Sequence, residues 1–414
     1  MDDDAIESDE ASARAGRAGR KPFPATGAWR EGDEPGRRRF FDLGFLPLDV
    51  APDGVDRGGV RPAGVRGLSA LPGVRIAYET WGELNADASN AVYVAHALTG
   101  DSHVTGPAGE VHHTGGWWNS MVGPDRPIDT TRDFVVCANV VGGCQGSTGP
   151  SSRDPHSGGA WGSRFPYLTL RDMVRAEIAL ADHLEIASWK LVLGPSMGGM
   201  RALEWALMAP GRVRAIAVEG SVAASTADQI AWAAPQLAAI RADPLFRGGD
   251  YYEAAADGGP HVGLGIARMI AHATYRSEGE LATRFGRAYQ EGENPIGRGG
   301  RFAVQSYLEH HGEKLARRFD ANTYLCLTEA ILSHDVGRDR GGVERALGTI
   351  DIPALVIAVD SDRLYPVANA AILDDNLRGS HGVKLVHSDV GHDGFLVDSE
   401  QVNAHVRAFV EGLD

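Results

Sequence analysis

The chain is poor in cysteine, in long apolar runs and in net positive charge, and each shortage removes a class of protein. Three cysteines among 414 residues, Cys137, Cys144 and Cys326, are an odd number without metal-ligand spacing. They read as reduced thiols of a cytoplasmic protein, with neither a disulfide framework nor a structural metal. No apolar stretch is long enough to cross a bilayer, and the N-terminus lacks the apolar core of a signal peptide, so no membrane partner is expected. A formal net charge of −15 leaves no basic face for a phosphate backbone, which argues against nucleic acid as a partner. An anionic small ligand stays open, because a local basic rim is compatible with an acidic whole.

What is present is the composition of an ordinary globular protein, with 43% apolar and 23% charged residues. The length suggests two lobes, or one large domain carrying an insertion. Residues 1–40 are rich in charge, Ala, Gly and Pro and read as a disordered tail. Strand-like runs follow from Val74, Ala91 and Asp133, and then strands and helices alternate. A helix opens on Thr169 as N-cap, "KLVLG" is a strand, "SMGGMRALEWALMAP" is a helix halted at Pro210, and "VRAIAVEG" is a strand. This alternation predicts an α/β fold, with a mostly parallel sheet and helices on both faces. From Ser221 to Gly348 the pattern turns helical and polar, which predicts an inserted helical lid over 221–348. The α/β pattern resumes at "IPALVIAVD", so the core is expected over 41–220 and 349–414.

The stretch "KLVLGPSMGGMRALEWAL" places Gly194, Ser196 and Gly198 in a G-x-S-x-G pattern between a strand and a helix. That is the setting of a nucleophile elbow, whose tight turn leaves no room for side chains at the flanking glycines and exposes the serine hydroxyl. A capping serine in a βα turn is the bland alternative. A serine hydroxyl needs a base, and the base a carboxylate to orient it. Asp360 and Asp362 in "LVIAVDSDRLYP" both end a late strand and both qualify. His392, in the loop "DVGHDGF" after the last strand, suits the base by position better than His381 or His387. The backbone amides of Leu98, in "AHALTGDSH", and Met197 are the candidate oxyanion donors. For His96, in the same stretch, a structural hydrogen-bonding role is expected.

Blocks such as "HALTGDSHVTGP", "GGCQGSTGPSS", "GPSMGGMRALEW", "SDRLYP" and "GHDGFLV" occur in an order that resembles the homoserine O-acetyltransferase family, from about Gly73 to the C-terminus. The resemblance implies an α/β-hydrolase fold with a helical lid, and homodimers formed through that lid. It implies acetyl transfer from acetyl-CoA, a co-substrate, to L-homoserine in methionine biosynthesis, with no bound cofactor. It assigns the nucleophile to Ser196, the acid to Asp362 and the base to His392. It further implies that Arg268, in "GIARMIAHATYR", meets the homoserine carboxylate and that Asp393 meets the substrate's polar end. Pro195 departs from the glycine usual before the nucleophile; it fixes φ and removes a donor there. The rival readings are serine as acceptor, succinyl-CoA as donor, a plain esterase, and a non-catalytic binding protein on the same scaffold.

Overall fold

The computed structural model describes residues 21–49, 68–109, 111–112, 114–297 and 299–413. Eight strands form the main sheet: β1 (Arg39–Pro47), β2 (Ala70–Trp81), β3 (Ala91–Val94), β4 (Phe134–Ala138), β5 (Leu191–Pro195), β6 (Ile216–Glu219), β7 (Ala354–Val359) and β8 (Lys384–Val386). Their spatial order is β1-β2-β4-β3-β5-β6-β7-β8. Only β2 runs against its neighbours β1 and β4; every other pairing is parallel.

Because successive strand residues point to opposite faces, the central strands feed two cores. Tyr93, Val192, Ile216, Val218 and Val356 face one side, where helices α1 (Leu170–His183) and α2 (Met197–Met208) cover them. Val92, Val94, Leu193, Ala217 and Ile357 face the other, where Trp118, Met121 and the C-terminal helix close the layer through Val402, Val406 and Val410. Thr169 caps α1 in a full capping box with Asp172, so two otherwise orphaned donors at the helix start are satisfied.

Between β6 and β7 the chain leaves the sheet for α3 (Ala227–Ala242), α4 (His261–Tyr275), α5 (Glu278–Phe285), α6 (Ala303–Arg318), α7 (Ala321–Leu332) and the short α8 (Val343–Leu347). Their apolar faces make a third cluster through Leu237, Ile240, Leu264, Leu315 and Tyr324. Met197 and Met200 of α2 join it from below. The helices therefore sit directly over the start of α2. The core closes with α9 (Val367–Asn376), α10 (Gly394–Val397) and α11 (Ser399–Glu411).

The expectation of a disordered tail through residue 40 fails for its second half; residues 1–20 lie outside the described residues. Phe23 is buried with its ring stacked 4.6 Å from that of His261, and its N–H donates to Asp257 at 2.7 Å. Thr26 Oγ1 donates to Asp320 at 2.7 Å, and the backbone of Gly27 and Trp29 bonds Phe319 and Cys144. The segment laces α4, α6 and the α6–α7 turn to the core. Its composition resembles that of a loop because its anchoring rests largely on backbone and polar groups, with Phe23 the one buried ring. Strand β1 was likewise not anticipated. It is a half-exposed strand at the sheet's edge, and its Gly44 sits at an irregularity in the register with β2.

Candidate active site

The turn from β5 into α2 holds Ser196 at φ 54°, ψ −120°, a region that non-glycine residues occupy only when the surroundings enforce it. Three bonds enforce it. Ser196 N–H donates to Glu219 O of β6 at 2.8 Å, Gly199 N–H to Ser196 O at 3.0 Å, and Ser221 Oγ to that same carbonyl at 2.8 Å. The glycines are obligatory by contact. A Cβ on Gly194 would lie 2.3 Å from Ala95 O, and one on Gly198 would lie 2.0 Å from it. Pro195 leaves the elbow undisturbed, since the Ser196 N–H still reaches β6.

His392 Nδ1 lies 2.7 Å from Asp362 Oδ2, and both side chains are buried. Asp362 is held in turn by the N–H groups of Leu364 and Tyr365, at 2.8 and 2.9 Å on Oδ1. Burial pulls the imidazole's proton affinity down. The Asp362 carboxylate more than offsets this by charge and hydrogen bond, so the pKa of His392 ends above its ordinary value. Asp360 goes elsewhere, to exposed His387, whose Nδ1 is 2.8 Å away. Of the two carboxylates left open by spacing, only Asp362 meets His392.

Ser196 and His392 line one cavity of about 330 Å³ that α4 and α6 help to wall, together with Leu98, Arg268 and Asp393. Met197 follows Ser196 as the first residue of α2, where a backbone N–H has no partner within its own helix. Arg268 Nη1 is buried without a hydrogen-bond partner, and its guanidinium lies 5.1 Å from the Tyr275 ring. Asp393 pairs with Arg276 at 3.2 Å.

Several residues at the site carried no signal in the sequence. The ring of Tyr365 lies 5.1 Å from that of His392, and its hydroxyl is within hydrogen-bonding reach of Ser196. His272 and His311, stacked at 3.9 Å, form another wall. Burial, reinforced by Arg268, pushes them down to about 2 and about 4, so both are neutral. Glu219 is fully buried at the end of β6 with neither carboxylate oxygen hydrogen-bonded, and burial pushes it up to about 8.

A buried polar network fixes the loop that carries Leu98. Arg201, fully buried on α2, pairs with Glu177 of α1 and donates through Nη2 to His96 O at 2.6 Å; Trp205 Nε1 donates to the other Glu177 oxygen at 2.7 Å. His96 Nε2 accepts the Val140 N–H at 3.2 Å, so Nδ1 carries the proton and donates to Ala97 O at 2.7 Å. Burial, then Arg201, lowers His96 to about 3. A neutral imidazole is what this bonding requires.

Glu79, His103 and His112 place their ligand atoms within 4.8 Å of one another, a grouping with metal-like chemistry. The two rings, however, are stacked at 3.8 Å with planes 9° apart, so no ion can lie in both ring planes as imidazole coordination demands. His103 bonds Glu79 through Nδ1 at 3.0 Å and Pro107 O through Nε2 at 3.3 Å, which describes an ion pair.

Residues 90–399 match the family model described as the alpha/beta hydrolase fold. A homoserine O-acetyltransferase of Thermobifida fusca is 55% identical over 387 residues, covering 93% of this chain and 97% of the relative. One from Mycobacterium tuberculosis is 51% identical over 339 residues, 82% and 88% of the two chains. Among solved structures, the homoserine O-acetyltransferase from Bacillus anthracis superposes with a TM-score of 0.79 at 26% identity, covering 90% of this chain and 97% of that one. Esterase E22 superposes with a TM-score of 0.76 at 25% identity, covering 90% and 99%. With an elbow serine, a His–Asp pair and a roofed cavity on this sheet, and with relatives of this identity over nearly its whole length, the chain belongs to the homoserine O-acetyltransferase family of the α/β-hydrolase fold.

Proposed function

We propose that the protein transfers an acetyl group from acetyl-CoA to the hydroxyl of L-homoserine, as a step of methionine biosynthesis, through an acyl-Ser196 intermediate. The observation that carries this reading is the shared cavity: an elbow serine and a histidine oriented by Asp362 open into one small chamber covered by the lid. His392 takes the proton of Ser196 as Oγ attacks the thioester carbonyl, and the tetrahedral oxyanion is received by the Leu98 and Met197 amides. The C–S bond breaks, and CoA leaves as the thiol with the proton from His392. Homoserine then gives its hydroxyl proton to His392 while its oxygen attacks the acyl ester, and the proton returns to Ser196 Oγ as O-acetylhomoserine departs. Asp362 stabilises the imidazolium in both halves.

Arg268 is the proposed partner of the acceptor's carboxylate, and its unpaired buried nitrogen supports that role. Asp393, already bound to Arg276, faces the polar end of the same molecule. The lid restricts access by water, which separates transfer from hydrolysis. Ile230 and Trp232 on α3 and Val262 and Ile266 on α4 are exposed, which supports a homodimer built through the lid. Among the described residues no helix is long and apolar enough to cross a membrane. The proposed setting is the cytoplasm, where the thioester donor is available.

The test crosses acetyl-CoA and succinyl-CoA with homoserine and serine, following thiol release and product mass. Acetyl-CoA with homoserine is the pair expected to turn over, and Ser196→Ala is expected to abolish it. Thiol release that needs no amino acid would replace the transferase reading with a hydrolase.

A further inference from the structure

The catalytic cavity, at about 330 Å³, is near the lower end of what a single drug-sized ligand fills, roughly 300–1,000 Å³. A CoA thioester is larger than such a ligand, so with its carbonyl at Ser196 most of the donor must lie outside this chamber. A second cavity of about 670 Å³ opens beside it, and the two share Thr99, Gly100, Trp117, Lys314 and Arg318 as common walls. Its far side is made by the N-terminal segment, through Gly27, Trp29 and Arg38.

The arginine and lysine side chains of this second cavity are paired with no carboxylate among the described residues. Arg38 is buried, its terminal nitrogens meet only neutral oxygens, Pro35 O at 3.3 Å and Gln145 Oε1 at 3.2 Å, and its Nε has no partner. Arg318 donates to Thr99 O at 3.0 Å, and its guanidinium is held below the usual range by burial and by Arg268. Lys314, exposed, stands where the two cavities meet. None of these three pairs with a carboxylate among the described residues. The acids of the cavity are placed differently. Asp33 and Glu34 are exposed, and Asp101 accepts the His103 N–H at 2.9 Å while its charge partly offsets that of Arg318. His103 is occupied by Glu79, with His112 stacked on it. A buried cation paired with no carboxylate, as Arg38 is, is costly, and a polyanionic ligand relieves that cost by charge-assisted hydrogen bonds.

Resting on the acetyl-CoA reading above, we infer that this second cavity binds the phosphorylated adenosine diphosphate arm of the donor, with Arg38, Lys314 and Arg318 facing its phosphates and the segment 27–38 as its outer wall. The N-terminal segment is then part of the substrate site, which explains why so polar a stretch is tied to the lid and the core by specific bonds.

Two variants test this. Lys314→Glu alters an exposed side chain and leaves packing intact; Arg38→Gln removes a buried charge. Two readouts are taken on each full-length protein: calorimetric binding of adenosine 3′,5′-bisphosphate, and the ratio of kcat/KM for acetyl-CoA to that for acetyl-pantetheine, which lacks the nucleotide. Wild type is expected to bind the bisphosphate, and each variant to weaken that binding and lower the ratio by about tenfold, as for loss of one charged hydrogen-bond partner. No binding to wild type, or binding and ratio unchanged in Lys314→Glu, overturns the inference. A wild type that binds the bisphosphate through these residues yet transfers acetyl from neither donor to homoserine leaves the nucleotide site standing and removes the transfer reading instead.

Discussion

Glu219 is the sharpest place to test the physics of this site, because its carboxyl lies fully buried one residue from the loop that touches His392, with no hydrogen bond to either oxygen. Burial raises its pKa from 4.5 to about 8. Between those values the native state holds a proton that the unfolded chain has released, so the native state is progressively disfavoured as pH rises from about 5 to 8. At about 1.4 kcal/mol per unit, the stability lost across that interval through this one group is about 3.5 kcal/mol. Glu219→Met keeps the length and much of the volume of the side chain, leaves the backbone carbonyl that receives the Ser196 N–H, and titrates in neither state. Its stabilising effect relative to wild type is therefore expected to be about 3.5 kcal/mol greater at pH 8 than at pH 5. The measurement is the urea unfolding midpoint of both proteins at the two pH values. A difference between them that stays level from pH 5 to 8 would mean that Glu219 is ionised in the fold, and the argument from burial would be refuted.

Asp362→Asn removes the charge that does most to lift His392 and leaves burial, the larger single influence, opposed only by the weaker pull of Asp393. The acid limb of kcat/KM is expected above pH 6.5 in wild type and below it in the variant, with kcat down by about 10³–10⁴ because the ring loses its orienting acceptor. A pH profile that keeps its acid limb in place would contradict the assignment of that limb to His392. Arg201→Met strands the Glu177 carboxylate in the core and frees the His96 carbonyl, so stability is expected to fall by about 3–5 kcal/mol. In the protein that still folds, the acylation burst is expected to slow more than acetyl-CoA binding weakens, since the network acts on the loop carrying Leu98; stopped-flow thiol release separates the two.

How much of this was visible in the chain follows from the range of the interactions involved. The helix at 170 was legible because its cap and its apolar period are local, and Thr169 with Asp172 closes the cap as read. The elbow was legible because a tight strand-to-helix turn demands glycine on both sides of the serine. Strand β1 and the packing of residues 21–38 were not legible. Strand β1 exists by pairing with β2, and residues 21–38 are held by contacts such as Phe23 with Asp257 and His261 and Thr26 with Asp320, more than two hundred residues away; neither leaves a periodicity in its own sequence. Tyr365 and the His272–His311 stack were equally silent, since an aromatic ring near a strand end or on a helix reads as ordinary core.

By itself the sequence determined the class of fold, the helical run between two strands of the sheet and the strand-to-helix turn at Ser196, because periodicity, caps and turn glycines are set by neighbours a few residues apart. Where spacing left two aspartates open and only the family resemblance favoured Asp362, the tertiary structure shows which one meets His392; it alone decided which histidines stay neutral and that the N-terminal segment walls a cavity. Each of these depends on burial and on distances between groups far apart in the chain, and neither quantity exists until the chain has folded.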